Sequence, residues 1–547
     1  MPDVVPADAA PDASAMALLV TDPDSNWQDL WAAFRAAGIP VSVESNVDRA
    51  LGHRTVFVYP RISGPALSEK AIISLMAHVK EGGKVLTTDV PIERIGDAFG
   101  FTQVTDGAPH SRIRGKSLEI GTRGNTRLPF STSTYRGVKE AAVLFEDGSP
   151  AVFENRWGNG TTLVFSFDLG TLSYLAHAGR DESIERPYIN GFVSILDPLI
   201  ALVKRAYRDG DRSAITFGTV PDDRQLAVLM THDVDYAKSV PNSLTYAREE
   251  HRLGVRTTFF VQTKYIQDFN DVAFFGPEQL SIHRQVLEEG MEIGSHSVSH
   301  SRQFNKLPEG SGTEKYPSYL PFVKSRTVTQ NATVLGELRV SKFLLDSLLP
   351  GRRTVSFRSG FLLDPESLPQ DLVATGYLYD SSGTAGLSMT HLPFQLTYNR
   401  RGRQLLPIYR FPITMGDEAE PVALQPAIDV CERIAESHGI CNVLVHPNEL
   451  GPKLEFAVGF IKHWKSRAWI GTLSQLGEWW AARDRISVSV GDKEIHLQIP
   501  SKISGLVLEL APGDIVTAIA PASAGFHQNG DHVTLGPAGG AVTLYRK

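Results

Sequence analysis

The chain has 547 residues, enough for three to four domains and several buried cores. Lys and Arg total 54 against 61 Asp and Glu, a net charge of −7, which argues against a nucleic-acid partner because such a partner needs a basic face. Only two cysteines occur, Cys431 and Cys441, so neither a disulfide scaffold nor a cysteine-ligated metal cluster is available.

Residues 1–15, rich in Ala, Pro and Asp, read as a disordered arm without the basic start and apolar core of a signal segment. The chain as given therefore reads as cytoplasmic, or as extracytoplasmic if a signal has been removed. No apolar run reaches the length of a membrane span. From Met16 an α/β rhythm begins. MALLV (16–20), TVFVYP (55–60) and KVLTTD (84–89) read as buried strands, and 27–38 and 70–83 as the helices between them. Short alternating strands follow over 100–170, and this first domain is placed at 16–205.

Residues 206–224 are polar and read as a linker. From Leu226 a second α/β run holds to about 485. Its strands are expected at 226–235, 256–263, 291–297, 354–360, 376–382, around 408–414, 441–448 and 468–473, with helices over 277–290 and 425–439. Seven or eight such units predict an irregular barrel of parallel strands. Residues 486–547 alternate like a small β-sandwich. Phe526 and Tyr545 are its only aromatics, too few to support a sugar-stacking surface.

The polar clusters of 225–485 fall at strand ends, where a β/α barrel builds its site. Asp233 and Asp235 follow the apolar run LAVLM, and i, i+2 spacing on a strand points both carboxylates one way. An Asp turn with a helix cap is the alternative. His296 and His300 in HSVSH stand at i, i+4, which puts both rings on one face of a helical turn. They could hold a divalent metal, or be two polar histidines of a surface turn. Arg358, Asp380 and His446 end three further strands. Each alone could be structural, but five coincidences at one rim point to catalysis. Residues 301–325, with Tyr316, Tyr319 and Phe322, read as a long rim loop expected to shape a substrate cleft.

In this order THDVD, HSVSH, FRSG, LYDSS and LVHPN resemble the motifs of the polysaccharide deacetylases, the family-4 carbohydrate esterases with a NodB homology domain. The likeness covers 225–485. Val234 between the aspartates, the missing prolines of the third motif and the missing tryptophan of the fourth resemble the DxD-type subgroup, some members of which act on cyclic amides without metal. The resemblance implies an N-acetylated glycan substrate and a divalent metal, zinc first, on Asp235, His296 and His300. It implies Asp233 as general base, Arg358 orienting it, His446 as general acid, Asp380 orienting His446, and the Tyr236 amide at the oxyanion. Domain 16–205 is similar to the glutamine-amidotransferase fold, but it lacks the cysteine nucleophile and is read as non-catalytic. Two other functions stay open: a C–N hydrolase of a small amide or ureide, and a non-catalytic glycan-binding or scaffold protein. The oligomeric state is unknown.

Overall fold

The computed structural model describes residues 14–110, 112–115, 119–120, 132–179, 194–349, 351, 353–400, 403–417 and 423–547. Apart from Ser14 and Ala15, the N-terminal arm lies outside them. The chain divides into two compact units, one formed by 1–186, 194–223 and 482–547, the other by 187–193 and 224–481.

The first unit is built on a nine-stranded mixed sheet. Its parallel half runs in the order 41–44, 16–20, 55–59, 84–87 and 160–165, and antiparallel strands from 150–157, 141–145, 113–115 and 119–120 extend it. Strand 41–44 is not among the sequence-read elements. VSVE is short and only part-buried, so it lacks the apolar run that marks its neighbours. The C-terminal strands form two four-stranded sheets within the same compact unit. One of them takes in Thr216–Phe217, paired to Leu508–Glu509, so the polar segment read as a linker contributes a strand. Arg208 reaches Glu509 at 3.0 Å and Asp531 at 2.7 Å, fastening a helix of the N-terminal part to these C-terminal strands.

The second unit carries the chemistry. In chain order its elements are β1 (Leu226–Val234), α1 (Ser239–Arg252), β2 (Thr258–Val261), α2 (Pro277–Glu288), β3 (Glu292–Ser295), β4 (Phe322–Ser325), β5 (Val328–Gln330), α3 (Val334–Leu348), β6 (Ser356–Phe357), α4 (Leu368–Thr375), β7 (Tyr379–Asp380), β8 (Phe394–Thr397), β9 (Leu405–Arg410), β10 (Met415–Gly416), α5 (Leu424–Ala435), β11 (Ile440–Leu444), α6 (Pro452–Trp464) and β12 (Ala468–Ile470). The sheet order is β8-β9-β7-β6-β3-β2-β1-β11-β10, with β12 also on β1. Every ladder is parallel except β8 on β9.

The sheet curls without closing. Among the described residues no ladder joins β10 to β8 or β9, so the expected barrel is an open one. The antiparallel β8 occupies one edge, where a further parallel strand would have continued the ring. β1 is the centre. All nine of its residues are buried, because it is flanked by β2, β11 and β12 and covered on its faces. That continuous burial explains its unbroken apolar run and fixes its carboxyl end as the start of the polar cluster. Cys431 on α5 and Cys441 on β11 are joined by a disulfide that ties helix to strand. Among the described residues, no helix is long and apolar enough to cross a membrane.

Candidate active site

Asp233 is the penultimate residue of β1, and Asp235 lies just past its end. Both are buried, and they address different partners. Asp233 Oδ2 stands 3.7 Å from His296 Nε2, and Asp235 Oδ2 stands 3.8 Å from His300 Nε2.

The two histidines do converge, their ring centroids 4.8 Å apart. The helical turn expected between them does not form. Residues 296–300 are loop, with Ser297 and His300 in the left-handed region at φ 65° and 51°. The carboxylate of Glu337 on α3 holds that loop. It accepts the amides of Val298 (2.9 Å) and Ser299 (2.7 Å) and the hydroxyl of Tyr319 (3.0 Å). A buried carboxylate with three donors substitutes for the hydrogen bonds a helix would have made. Burial raises the Glu337 carboxyl above its usual range, and these donors oppose the rise. The sequence carried one unused signal for this residue: Glu337 falls on the apolar stripe of α3, in step with Val334, Leu338 and Ser341.

His296 Nδ1–H donates to the Arg358 carbonyl at 2.8 Å, which turns Nε2 towards the carboxylates. Burial lowers the His296 pKa against the pull of Asp233. Burial and then the His296 and His446 charges lower that of His300 well below the ordinary value. Neutral imidazoles are the form that binds metal. One ligand atom each from Asp235, His296 and His300 lies within 4.8 Å of the others. With every donor buried and each Nε2 facing a carboxylate, this N₂O set fits a divalent ion such as zinc with further positions open. Gly360 of FRSG completes the fit: a Cβ there would come 2.5 Å from His300 Cδ2. The next residue, Phe361, sits in the left-handed region at φ 54° with its ring centroid 4.4 Å from that of His300.

Arg358 is fully buried and every arm is engaged. Nη1 donates to Asp233 Oδ1 at 2.8 Å, Nη2 to Thr231 Oγ1 and Ser381 Oγ at 2.9 Å each, and Nε to the Ser381 carbonyl at 3.2 Å. The guanidinium also lies 4.3 Å above the Phe260 ring. Burial alone would raise the Asp233 pKa; Arg358, then His296 and His446, outweigh it and hold the carboxylate below its usual range. Asp233 is thus an ionised, fixed acceptor.

His446 follows β11, with Nε2 3.9 Å from Asp235 Oδ2. The expectation that Asp380 orients it is corrected by the structure. Asp380 Oδ2 accepts from Arg410 Nε at 2.6 Å and Oδ1 from Ser382 Oγ at 2.5 Å, so both its oxygens are committed elsewhere. The carboxylate on His446 is Asp417, which accepts from Nδ1 at 2.5 Å and from the His446 amide at 3.0 Å. Lys453 holds Asp417 Oδ2 at 2.7 Å. β10 pairs in parallel with β11, Gly416 opposite Leu444, and this register sets Asp417 beside His446. In the sequence Asp417 opens the acidic run DEAE and reads as surface. Burial would lower the His446 pKa, but the Asp417 hydrogen bond and the charges of Asp235, Asp417 and Asp233 raise it to about 9.

Tyr236 stands at the mouth, 37% exposed. The rim loop is partly ordered as the β4–β5 hairpin, and its aromatics divide. Tyr319 is buried against Glu337, while Tyr316 and Phe322 are exposed. Tyr319 therefore supports the histidine loop and does not line a cleft.

Residues 221–378, within the second unit and just before it, match the family model described as polysaccharide deacetylase. This is a family of hydrolases acting on the amide bonds of N-acetylated sugars. The match includes Asp233, Asp235, His296, His300 and Arg358 and stops short of Asp380, Asp417 and His446. No curated protein matches the chain. Solved structures similar to it include a Mycobacterium smegmatis protein provisionally assigned as a polysaccharide deacetylase (16% identity, 47% of this chain and 92% of that one, TM-score 0.35). The peptidoglycan deacetylase PdaC from Bacillus subtilis is similar at 16% identity (47% and 93%, TM-score 0.29). So is a family-4 carbohydrate esterase pseudoenzyme from Bacillus anthracis, at 12% identity (47% and 66%, TM-score 0.26).

Glu337→Ala is expected to leave two buried amides and a tyrosine hydroxyl without their acceptor, destabilising the unit by about 2–4 kcal/mol. It is also expected to weaken metal affinity by about 10–100-fold through the loosened histidine loop. Glu337→Gln, which keeps one acceptor oxygen, recovers part of both. Thermal melts with competitive chelator titrations measure the two effects; unchanged metal affinity in the Ala variant would remove the positioning role.

Proposed function

We propose that this chain is a metal-dependent N-deacetylase of an N-acetylated polysaccharide or glycoconjugate. One observation carries the reading: two separately fixed proton-transfer groups, Asp233 on Arg358 and His446 on Asp417, flank a buried Asp-His-His donor set. Asp235, His296 and His300 would hold the ion, zinc being the first candidate. When bound, the ion supplies a Lewis acid that polarises the acetyl carbonyl and acidifies water. Asp233, with Oδ1 tied to Arg358, accepts the proton of the attacking water on Oδ2. His446 gives its proton to the departing amine, without which an amide does not break, and Asp417 keeps the ring aimed and charged. The Tyr236 amide is proposed to help hold the oxyanion. We propose that the 16–205 part, read as amidotransferase-like in fold, is non-catalytic, because no cysteine precedes residue 431.

The test is product identification. Zinc-loaded protein with N-acetylhexosamine oligomers is expected to release acetate and leave oligomers with new free amines, both stopped by chelator. Amide cleavage of small cyclic amides without acetate release from any glycan would replace this reading with the small-amide hydrolase.

A further inference from the structure

We infer that the segment 301–333 makes this site selective for anionic N-acetylated glycans, those bearing carboxylate or phosphate groups along the chain. The inference deepens the deacetylase reading and rests on it. Within a chain of net charge −7, this segment holds five cations, Arg302, Lys306, Lys315, Lys324 and Arg326, against two carboxylates, Glu309 and Glu314. All five cations are exposed, and none takes part in an ion pair among the described residues. The two carboxylates leave the segment a net charge of +3. Glu314 accepts from the Ser311 amide at 2.7 Å and from Thr333 Oγ1 at 3.2 Å. Glu309 lies against Asp371 of α4.

The segment is built onto the metal-binding loop. It begins at the residue after His300, and Ser301 Oγ meets Thr329 Oγ1 of β5 at 2.6 Å. Arg302 lies 4.0 Å over the ring of Phe361, which itself packs on His300. The Val323 carbonyl accepts the Phe269 amide at 3.0 Å, joining the hairpin to the loop after β2. Acidic groups on that loop are already engaged: Asp268 holds buried Lys264 at 2.7 Å, and Asp271 accepts the Ala237 amide at 2.8 Å. Phe269 (57%) and Phe322 (39%) are exposed, Phe322 on the same strand as Lys324 and two residues before it. Exposed rings that can stack on sugar faces, next to unpaired cations, form a surface complementary to a sugar polymer carrying negative charge.

The test compares three oligomers of equal length with the zinc-loaded full chain: neutral N-acetylglucosamine, an alternating N-acetylglucosamine–uronate, and a phosphate-bridged N-acetylhexosamine. Acetate release and calorimetric binding are both read at low and high salt. The inference predicts kcat/KM at least about tenfold higher on one or both anionic oligomers at low salt, with the advantage shrinking as salt screens exposed charge. Which of the two is preferred separates carboxylate from phosphate as the natural source. The triple variant R302Q/K324Q/R326Q is expected to lower the anionic-to-neutral kcat/KM ratio by about tenfold or more, chiefly through KM. Equal kcat/KM on neutral and anionic oligomers, or an unchanged ratio in the triple variant, overturns the inference while the deacetylase reading stands. Absence of acetate from all three fails the deacetylase reading. In that case salt-sensitive binding of an anionic oligomer, lost in the triple variant, still upholds the anionic selectivity, and no binding overturns it too.

Discussion

His296→Ala and Asp235→Asn are each expected to remove bound metal and deacetylation together, with kcat falling by about three orders of magnitude or more. The two residues stand on different elements, β3 with its loop and the end of β1, so a shared phenotype cannot come from damage to one segment. Asp235→Asn keeps the shape of the side chain but takes away the charge that faces His300 and His446. The fold should survive both changes, because each residue lies past its strand end and outside the apolar core of the unit. Metal content by elemental analysis, melting temperature and acetate release on the same preparations decide the matter. Full metal occupancy in the His296→Ala protein would mean that the ion sits elsewhere.

The second large effect separates proton delivery from metal binding. His446→Ala is expected to lower kcat by about 10²–10⁴ while the metal stays bound. Asp417→Asn should lower it by about 10–100-fold, and with a distinct signature in pH. The Asp417 hydrogen bond, with the nearby carboxylates, outweighs burial and raises the His446 pKa above its ordinary value. A group whose folded pKa is raised carries its proton below that value and loses it above, so activity that needs the proton falls on the alkaline side. Without the Asp417 charge the proton leaves earlier, and the alkaline limb of kcat/KM should move to lower pH. Asp380→Asn is the informative control. It cuts a buried ion pair with Arg410, so it should cost stability, but it should not move that limb. The opposite result, a limb moved by Asp380→Asn and indifferent to Asp417→Asn, would restore the assignment drawn from the sequence.

The legible parts of this site share one cause. β1 and β11 are mostly apolar runs that end in polar residues, β3 leads directly into the HSVSH motif, and a parallel sheet puts such strand ends together. Asp233, Asp235, His296, His300, Arg358 and His446 could be read one strand at a time for that reason. What depended on neighbours in space could not. The partner of His446 follows from the register of β10 on β11, and a two-residue strand before an acidic run gives no periodic signal. The histidine pair was legible as a pair but not as a loop. Its conformation rests on Glu337, some forty residues away and on another element. β6 and β7 show the same limit in the fold. Each is only two residues long, although seven-residue runs around them look strand-like. Tyr319 likewise sat in a segment that reads as cleft wall, and only the position of Glu337 turns it into a support.

The most direct measurement is a zinc titration of chelator-stripped protein, following acetate release from an N-acetylated oligosaccharide against metal bound per chain. The account predicts no release from the stripped protein, and activity rising linearly to a plateau at one ion per chain. Full activity in the stripped protein, or stoichiometric metal binding with no acetate from any acetylated glycan, would contradict it.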